Sequence, residues 1–550
     1  MKAAKIILLA AVLTIVLAAL AACGGNDTPA PPPAQNQPAA TQPAAQQEAP
    51  ATAEEPAVAD TLDLTIHYHT DQFVFLDDWP VWQQIYEHTG VRLTGTANPI
   101  ATSGAEQFNL EAADGFPAHI YGGLNLGGLF MQFGMEGAFV DLTDLIPIHA
   151  PNFYRLMNEN PSVRSAITAP NGRIYHFPTM PDGLLAGRAF FIRQDWLDLL
   201  GRDHPQTVEE LEETLIAFRD EIPALIGVEQ VWPYMDDNWQ MMMRLTNLWG
   251  ARTYGHDSIH VRVAPRENND ELYHTWLEPQ FMVALENISR WYGMGLIDQQ
   301  VFTRGGPTRH ELLSTNTGGM TYHFPVSTAA FNTTLADIID GFSFVPMQPP
   351  VNSQGVRVSE HQRLPVQNNG WAISHTNPDP IRTVQFMDFL YSDLGRTLLS
   401  YGAEGITFEF DSAGNPVFLP FVHEQGITEV DVIRNEMGGL RFVGYMQVFQ
   451  YEVDLATPEA RAAFEMHTTG NYVVRQLPVL FFNQQELDTI NMLQAPLNDF
   501  LNENIQRFIL GDYTQIAGEW DAFVNQAISI GANDLVAAYQ SAFDRFLAGN

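Results

Sequence analysis

The chain has 550 residues, 45% of them apolar and 17% charged, enough to fill large cores in two to four domains and too apolar for wholesale disorder. Against 64 acidic residues there are 27 basic ones, a formal net charge of −37. Nucleic-acid binding needs clustered positive charge to displace counterions, so it is disfavoured, as is electrostatic docking on anionic lipid. The single cysteine, Cys23, excludes an intramolecular disulfide framework, a cysteine zinc cluster and a CxxC redox site.

In chain order, Lys2 and Lys5 form a basic start before the apolar run 6–20. That run is short of the roughly 20 residues of a membrane span and reads as the core of a signal peptide. The only two lysines lie in this leader, so the mature chain is expected to have none. The leader ends in Leu20-Ala21-Ala22-Cys23, which resembles the lipobox of bacterial lipoproteins. The resemblance implies a diacylated, palmitate-type Cys23 as the mature N-terminus and a chain held on the extracytoplasmic face of the cell membrane. Residues 24–60 are mostly Ala, Pro and Gln. Such a stretch cannot offset its ordering entropy and is expected to be a solvated linker.

The globular part is expected from residue 61. Leu62, Leu64, Ile66 and Tyr68 alternate with polar residues, the period of a strand. A short helix over 79–88 ends at Gly90, and strands follow at 91–94 and 119–121. After the Asn171-Gly172 turn come an extended stretch at 173–177, a strand at 189–193 and a helix at 194–200 stopped by Gly201. Thr207 with Glu210, and Asn483 with Glu486, have the spacing of capping boxes. Asp379-Pro380 starts another helix, Pro496 is expected to kink the one after Asn483, and the last helix spans 533–547. Strands alternating with helices predict an α/β fold built on a parallel sheet with helices on its faces.

Several local patterns, in collinear order, resemble the extracellular solute-binding proteins of family 1, the sugar-type receptors of ABC importers. They are residues 134–142 (GMEGAFVDL), 171–178 (NGRIYHFP), 191–197 (FIRQDWL), 319–321 (GMT), 377–391 from Asn377-Pro378 to Tyr391, and 401–405 (YGAEG). One departure is Phe116-Pro117-Ala118-His119, where the family often has an aspartate after the proline. The resemblance implies a two-lobe, periplasmic-binding-protein-like fold of type II, with a ligand cleft between lobes joined by hinge strands. The expected boundaries are 1–22 for the signal peptide and 23–60 for the lipidated cysteine and linker. Lobe one is placed at 61–180 plus 341–395, and lobe two at 181–340 plus 396–550.

A sugar has apolar C–H faces and a rim of hydroxyls, so its receptor needs aromatic rings and planar polar groups. Of ten tryptophans, Trp82, Trp196 and Trp520 fall on helical apolar faces and read as packing. Trp371, after Asn368-Asn369-Gly370, is expected to stack on a sugar from lobe one. Trp239, after Asp236-Asp237-Asn238, or Trp249, before Gly250, is expected to face it from lobe two. Ligands of open α/β sheets lie beyond the carboxyl ends of strands, which points to His69, Asp71, Tyr121 and Asn125, and in lobe two to Tyr322 and His323. Glu404 sits in a glycine-flanked turn and completes the candidate set.

His67, His69 and Asp71 are too few and too common a grouping to support a metal site, and no metal or other cofactor is expected. Gly122-Gly123 to Gly127-Gly128 has neither the P-loop lysine nor a dinucleotide spacing. The sequence has no GxSxG or HExxH motif, and no carboxylate pair with glycosidase geometry is apparent. The expected function is therefore non-enzymatic: a monomeric, lipid-anchored receptor passing a carbohydrate, an oligosaccharide foremost, to an ABC permease. A peptide-binding transport receptor and a surface-anchored carbohydrate hydrolase are the alternatives.

Overall fold

The computed structural model describes residues 61–71, 73–182, 187–253, 262–305, 308–360, 363–425, 429–439, 442–470 and 472–549. The leader, Cys23 and the linker, with the boundaries placed on them, lie outside the described residues. Ten strands build the two principal sheets: β1 Leu62–His69, β2 Val91–Gly95, β3 Ile120–Gly123, β4 Phe177–Met180, β5 Ala189–Arg193, β6 Trp232–Tyr234, β7 Gly318–His323, β8 Phe344–Met347, β9 Gly370–Ile373 and β10 Tyr445–Met446.

The first sheet has the order β10-β4-β9-β3-β1-β2. Strands β1, β2 and β3 run parallel, but β9 runs antiparallel to both β3 and β4, and β5 runs antiparallel to both of its neighbours in the second sheet, so the expected parallel sheet is corrected to two mixed ones. Hence β1, β2, β3, β4 and β10 all point their carboxyl ends to one edge. The alternation of β1 is the one its residues predict: Leu64, Ile66 and Tyr68 are buried together in the first core. Helix α1, Pro80–Thr89, starts on a proline and ends at Gly90, whose φ of 66° suits a residue without Cβ. It buries Val81, Trp82 and Ile85 against the sheet.

The second sheet has the order β8-β5-β7-β6. It is covered on both faces, and β5 shows why it is apolar throughout. Phe190 and Ile192 enter one core while Ala189 and Phe191 enter the smaller core on the opposite face. Helix α2, Val208–Ile226, opens where the Thr207 side chain accepts the Glu210 N–H. Helix α3, Pro458–Gly470, buries Ala460, Ala463 and Phe464 in the smaller core. Helices α4, Gln484–Leu510, α5, Ile516–Ile530, and α6, Ala532–Ala548, complete the larger one. A full capping box of Asn483 and Glu486 opens α4, which runs on through Pro496.

The chain passes between the two sheets three times, at Met180 to Ala189, at Met347 to Gly370, and after Met446. Two expected lobe boundaries are corrected. Phe344–Met347 pairs antiparallel with β5 and so belongs to the second sheet, not to lobe one. Leu398, Tyr401, Phe408, Ile433 and Tyr445 are buried in the first core, so the segment after residue 395 stays in lobe one until the third passage. Sequence reasoning missed that passage because β10 is two residues long and lacks a periodic signal.

Candidate functional site

The passages and the strand directions define two facing rims. The lobe-one rim holds the loops after β1, β2 and β3 together with Asn368-Asn369. In lobe two, β5 leaves the first passage and pairs antiparallel with β7, Ala189 opposite His323. The carboxyl ends of β7 and its parallel neighbour β6 therefore face the passage, and they carry His323-Phe324 and Asp236-Asp237.

On the lobe-one rim two asparagines organise the loop after β3. Asn369 Oδ1 accepts from the Asn125 N–H at 2.6 Å, and Asn368 Oδ1 accepts from the Gly128 N–H at 3.0 Å. Asn125 has a φ of 60° and is exposed, so its amide side chain is offered to solvent from a fixed backbone. Asp71, at φ 66°, accepts the Gly104 N–H at 2.5 Å. His69 is 3% exposed and both its ring nitrogens are engaged: Nδ1 accepts from the Asp71 N–H at 3.0 Å, which leaves Nε2–H to donate to the Ala101 carbonyl at 3.0 Å. It holds the loop and presents no group to a ligand.

On the lobe-two rim His323 accepts the Phe324 N–H at Nδ1, 2.8 Å. Its proton therefore sits on Nε2, 3.3 Å from Asp237 Oδ2. Burial pushes the His323 pKa down to about 3, so the ring is neutral. Burial alone would raise Asp237; the His323 N–H and the Arg309 guanidinium outweigh it and hold this carboxyl below its ordinary range. Asp236 is fully buried. It accepts from the Tyr234 hydroxyl at 3.1 Å and from the Asp237 N–H at 2.9 Å. Burial pushes its pKa up to about 6 against the pull of Arg244 and Arg188. Arg188 lies over the Phe324 ring, 4.1 Å from its centroid. Phe324 is 40% exposed and meets the His323 ring edge-on, centroids 5.2 Å apart; it lies one residue beyond the pair that sequence reasoning had singled out.

Five candidates are core residues instead. Tyr121 is fully buried; its hydroxyl donates to Glu111 at 2.7 Å and accepts from the Ala118 N–H. Trp371 is fully buried against Trp82 and Tyr68, because its register puts it opposite Gly122, on the face covered by α1. Trp249 packs its edge on Trp291 at 5.0 Å in the second core. Tyr322 is 2% exposed, with its hydroxyl 2.8 Å from Ser359 Oγ. Trp239, 8% exposed, stacks on Phe302 within the second core, which removes it as the facing ring. Glu404 is exposed in a turn whose backbone is pinned to Gln84 of α1, apart from the rim loops. Among the described residues no group of three or more His, Cys, Asp or Glu could hold a metal ion.

The rims thus pair planar amides and one exposed ring with a charged, largely internally satisfied floor. Such a surface can bind a polyhydroxylated ligand through hydrogen bonds and stacking.

No family model matches the chain. The fructooligosaccharide ABC transporter substrate-binding protein FusA of Streptococcus pneumoniae is 23% identical over 489 residues, covering 85% of this chain and 87% of FusA. Among solved structures, the alginate-binding protein AlgQ2 without calcium ion is 34% identical, with a TM-score of 0.76 over 88% of this chain and 98% of AlgQ2. FusA in complex with kestose superposes with a TM-score of 0.71 at 20% identity, over 89% of this chain and 100% of FusA. An HMO-binding, ABC-transporter-associated solute-binding protein of Bifidobacterium longum infantis reaches 0.69 at 17% identity, over 88% and 99%. The last two likenesses concern the fold.

Proposed function

Since the chain belongs to the sugar-binding solute receptors of ABC importers, extracellular solute-binding protein family 1, we propose that it captures an oligosaccharide between its two rims and delivers it to a permease. The observation that carries this reading is the 34% identity to an alginate-binding protein across 98% of that protein's length. The geometry agrees: three chain passages join the sheets, a number suited to a hinge that closes on ligand. The ligand meets Asn125, Asp71 and the Asn368-Asn369 loop from lobe one, and Phe324 and the Asp237–His323 pair from lobe two.

The protein acts without catalysis. Asp236 and Asp237 are adjacent in the chain and already engaged by Tyr234, His323 and Arg309, so they do not serve as the convergent pair a glycoside hydrolase needs. Anchoring is through lipid on Cys23, at the extracytoplasmic face of the cell membrane, and the receptor works as a monomer. Among the described residues no helix is long and apolar enough to cross a membrane. A thermal-shift screen over fructooligosaccharides and alginate oligomers tests the ligand class, because a ligand specific to the folded state raises stability by RT ln(1 + [L]/Kd). Stabilisation by peptides in place of sugars would overturn it.

A further inference from the structure

The loops after β1 and β2 do more than border the rim. Phe73, Val74, Leu76, Trp79 and Pro99 line an open pocket of ≈ 420 Å³ together with Asp431, Arg434 and Asn435. This volume lies within the roughly 300–1,000 Å³ of small-ligand pockets. Because β1 and β2 point their carboxyl ends to the edge from which the chain leaves for lobe two, the cavity opens from lobe one on the ligand-facing edge.

Its walls differ in chemistry. One is apolar: Phe73 is half-buried and Leu76 is 44% exposed. The other is a π-helical turn, Val432–Glu436. Wide turns of this kind are rare and frequently occur at functional sites. This one is held in place by α1: Trp79 Nε1–H donates to the Asn435 carbonyl at 2.8 Å, the Val81 N–H to the Met437 carbonyl at 3.0 Å, and Trp82 Nε1–H to the Gly438 carbonyl at 2.9 Å. Gly438, at φ 82°, sits where an added Cβ would meet the Trp79 ring at 2.6 Å. The wall is therefore rigid before any ligand arrives, which lowers the ordering cost of binding. Half-buried Arg434 makes no ion pair among the described residues, and Asn435 is exposed beside it. A guanidinium without an ion pair among the described residues, a carboxylate, an amide and an apolar face around one small pocket are groups that suit a single pyranose or furanose ring.

We propose that this cavity is an outer subsite that holds one terminal sugar residue of the bound oligosaccharide, with a ring face on Phe73 and Leu76 and hydroxyls on Arg434 and Asn435. The proposal rests on the receptor reading and extends it from ligand class to ligand length. The subsite makes affinity depend on chain length, since only an oligosaccharide reaching beyond the central rims fills it.

The test is calorimetric titration of the purified full-length protein with fructooligosaccharides and with alginate oligomers, each from about three to six units. Arg434→Ala and, separately, Leu76→Ala are titrated in parallel, and the melting temperature of each variant is measured without ligand. In the series that binds, the parent gains about tenfold in affinity at one added residue. Both variants lose that gain, bind the shorter oligomers as the parent does, and melt close to it. No length-dependent gain in the parent, retention of the gain in both variants, or an equal loss at every length overturns the subsite while leaving the receptor intact. If the parent binds no member of either series, the receptor reading falls and the subsite with it.

Discussion

The indole of Trp371 lies parallel to that of Trp82, with ring centroids 5.2 Å apart and planes 19° apart. This stack ties β9 to α1 inside the first core. It depends on Gly122, the register partner of Trp371, where an added Cβ would come within 2.4 Å of the indole.

Trp371→Ala therefore acts on folding. Loss of a buried tryptophan costs about 3–5 kcal/mol, seen as a large fall in melting temperature without ligand. Saccharide affinity per folded molecule stays at the parent value. A variant that melts normally and has lost affinity would return Trp371 to the binding surface.

Gly122→Ala makes the complementary change. The added methyl displaces Trp371 from Trp82, and overpacking of this kind costs about 1–3 kcal/mol. Denaturant unfolding measures it. The double variant with Trp371→Ala should be less destabilised than the sum of the two single changes, since the clash disappears with the ring.

Phe324→Ala is expected to do the reverse of Trp371→Ala. The ring is 40% exposed on the lobe-two rim and backed by Arg188. If it stacks on a sugar as a hot-spot aromatic does, its loss weakens binding by about 2 kcal/mol, roughly 30-fold, with a small change in melting temperature. Unchanged affinity would place the stacking ring elsewhere.

What was legible and what was not divides along physical lines. Local signals served well: the alternation of 62–68 became β1, Gly90 ends α1, Gly201 ends the helix after β5, and the Asn483–Glu486 box opens α4. Thr207 caps α2 through the Glu210 N–H, but the Glu210 carboxylate turns to the Gln206 N–H instead of the cap residue's own. Side-chain facing was less accessible. Trp371 follows a polar turn, which made an exposed ring plausible, yet a strand sends alternate residues to opposite faces, and only pairing with Gly122 decides which face takes the ring. Tyr121 and Tyr322 sit at strand ends, where register rather than residue type separates core from rim. Phe324 was missed because one more exposed phenylalanine has no signature in a sequence holding 34 of them.

The buried histidines make stability pH-dependent. Burial lowers the pKa of His67 and His467 to about 4 and of His176, His274 and His323 to about 3. Each is neutral when folded and takes up a proton on unfolding once the pH falls below the ordinary value of about 6.5. Their contribution is complete above that pH and is lost as pH falls toward the folded values. Asp236, raised to about 6 by burial, has the opposite sign and releases a proton on unfolding near pH 5. The net uptake there is roughly four protons, each worth up to about 1.4 kcal/mol per pH unit. Denaturant unfolding should give a clearly lower free energy at about pH 5 than at about pH 7.5. Equal or greater stability at the lower pH would contradict this balance.

Cys23→Ala tests the anchor. Fractionation of cells expressing it should release the protein from membranes, with folding and affinity unchanged. Membrane association equal to that of the parent would exclude lipid on Cys23 as the anchor.

The central claim, capture of an oligosaccharide without chemistry, is tested most directly by calorimetric titration of the purified protein with fructooligosaccharides and alginate oligomers, followed by recovery of the sugar. Saturable binding of one series at one site per chain is expected, with a gain in unfolding free energy of about 2.7 kcal/mol at one hundred times Kd and the sugar recovered intact. Absence of binding by both series, or recovery of shortened sugar in proportion to protein and time, would contradict it.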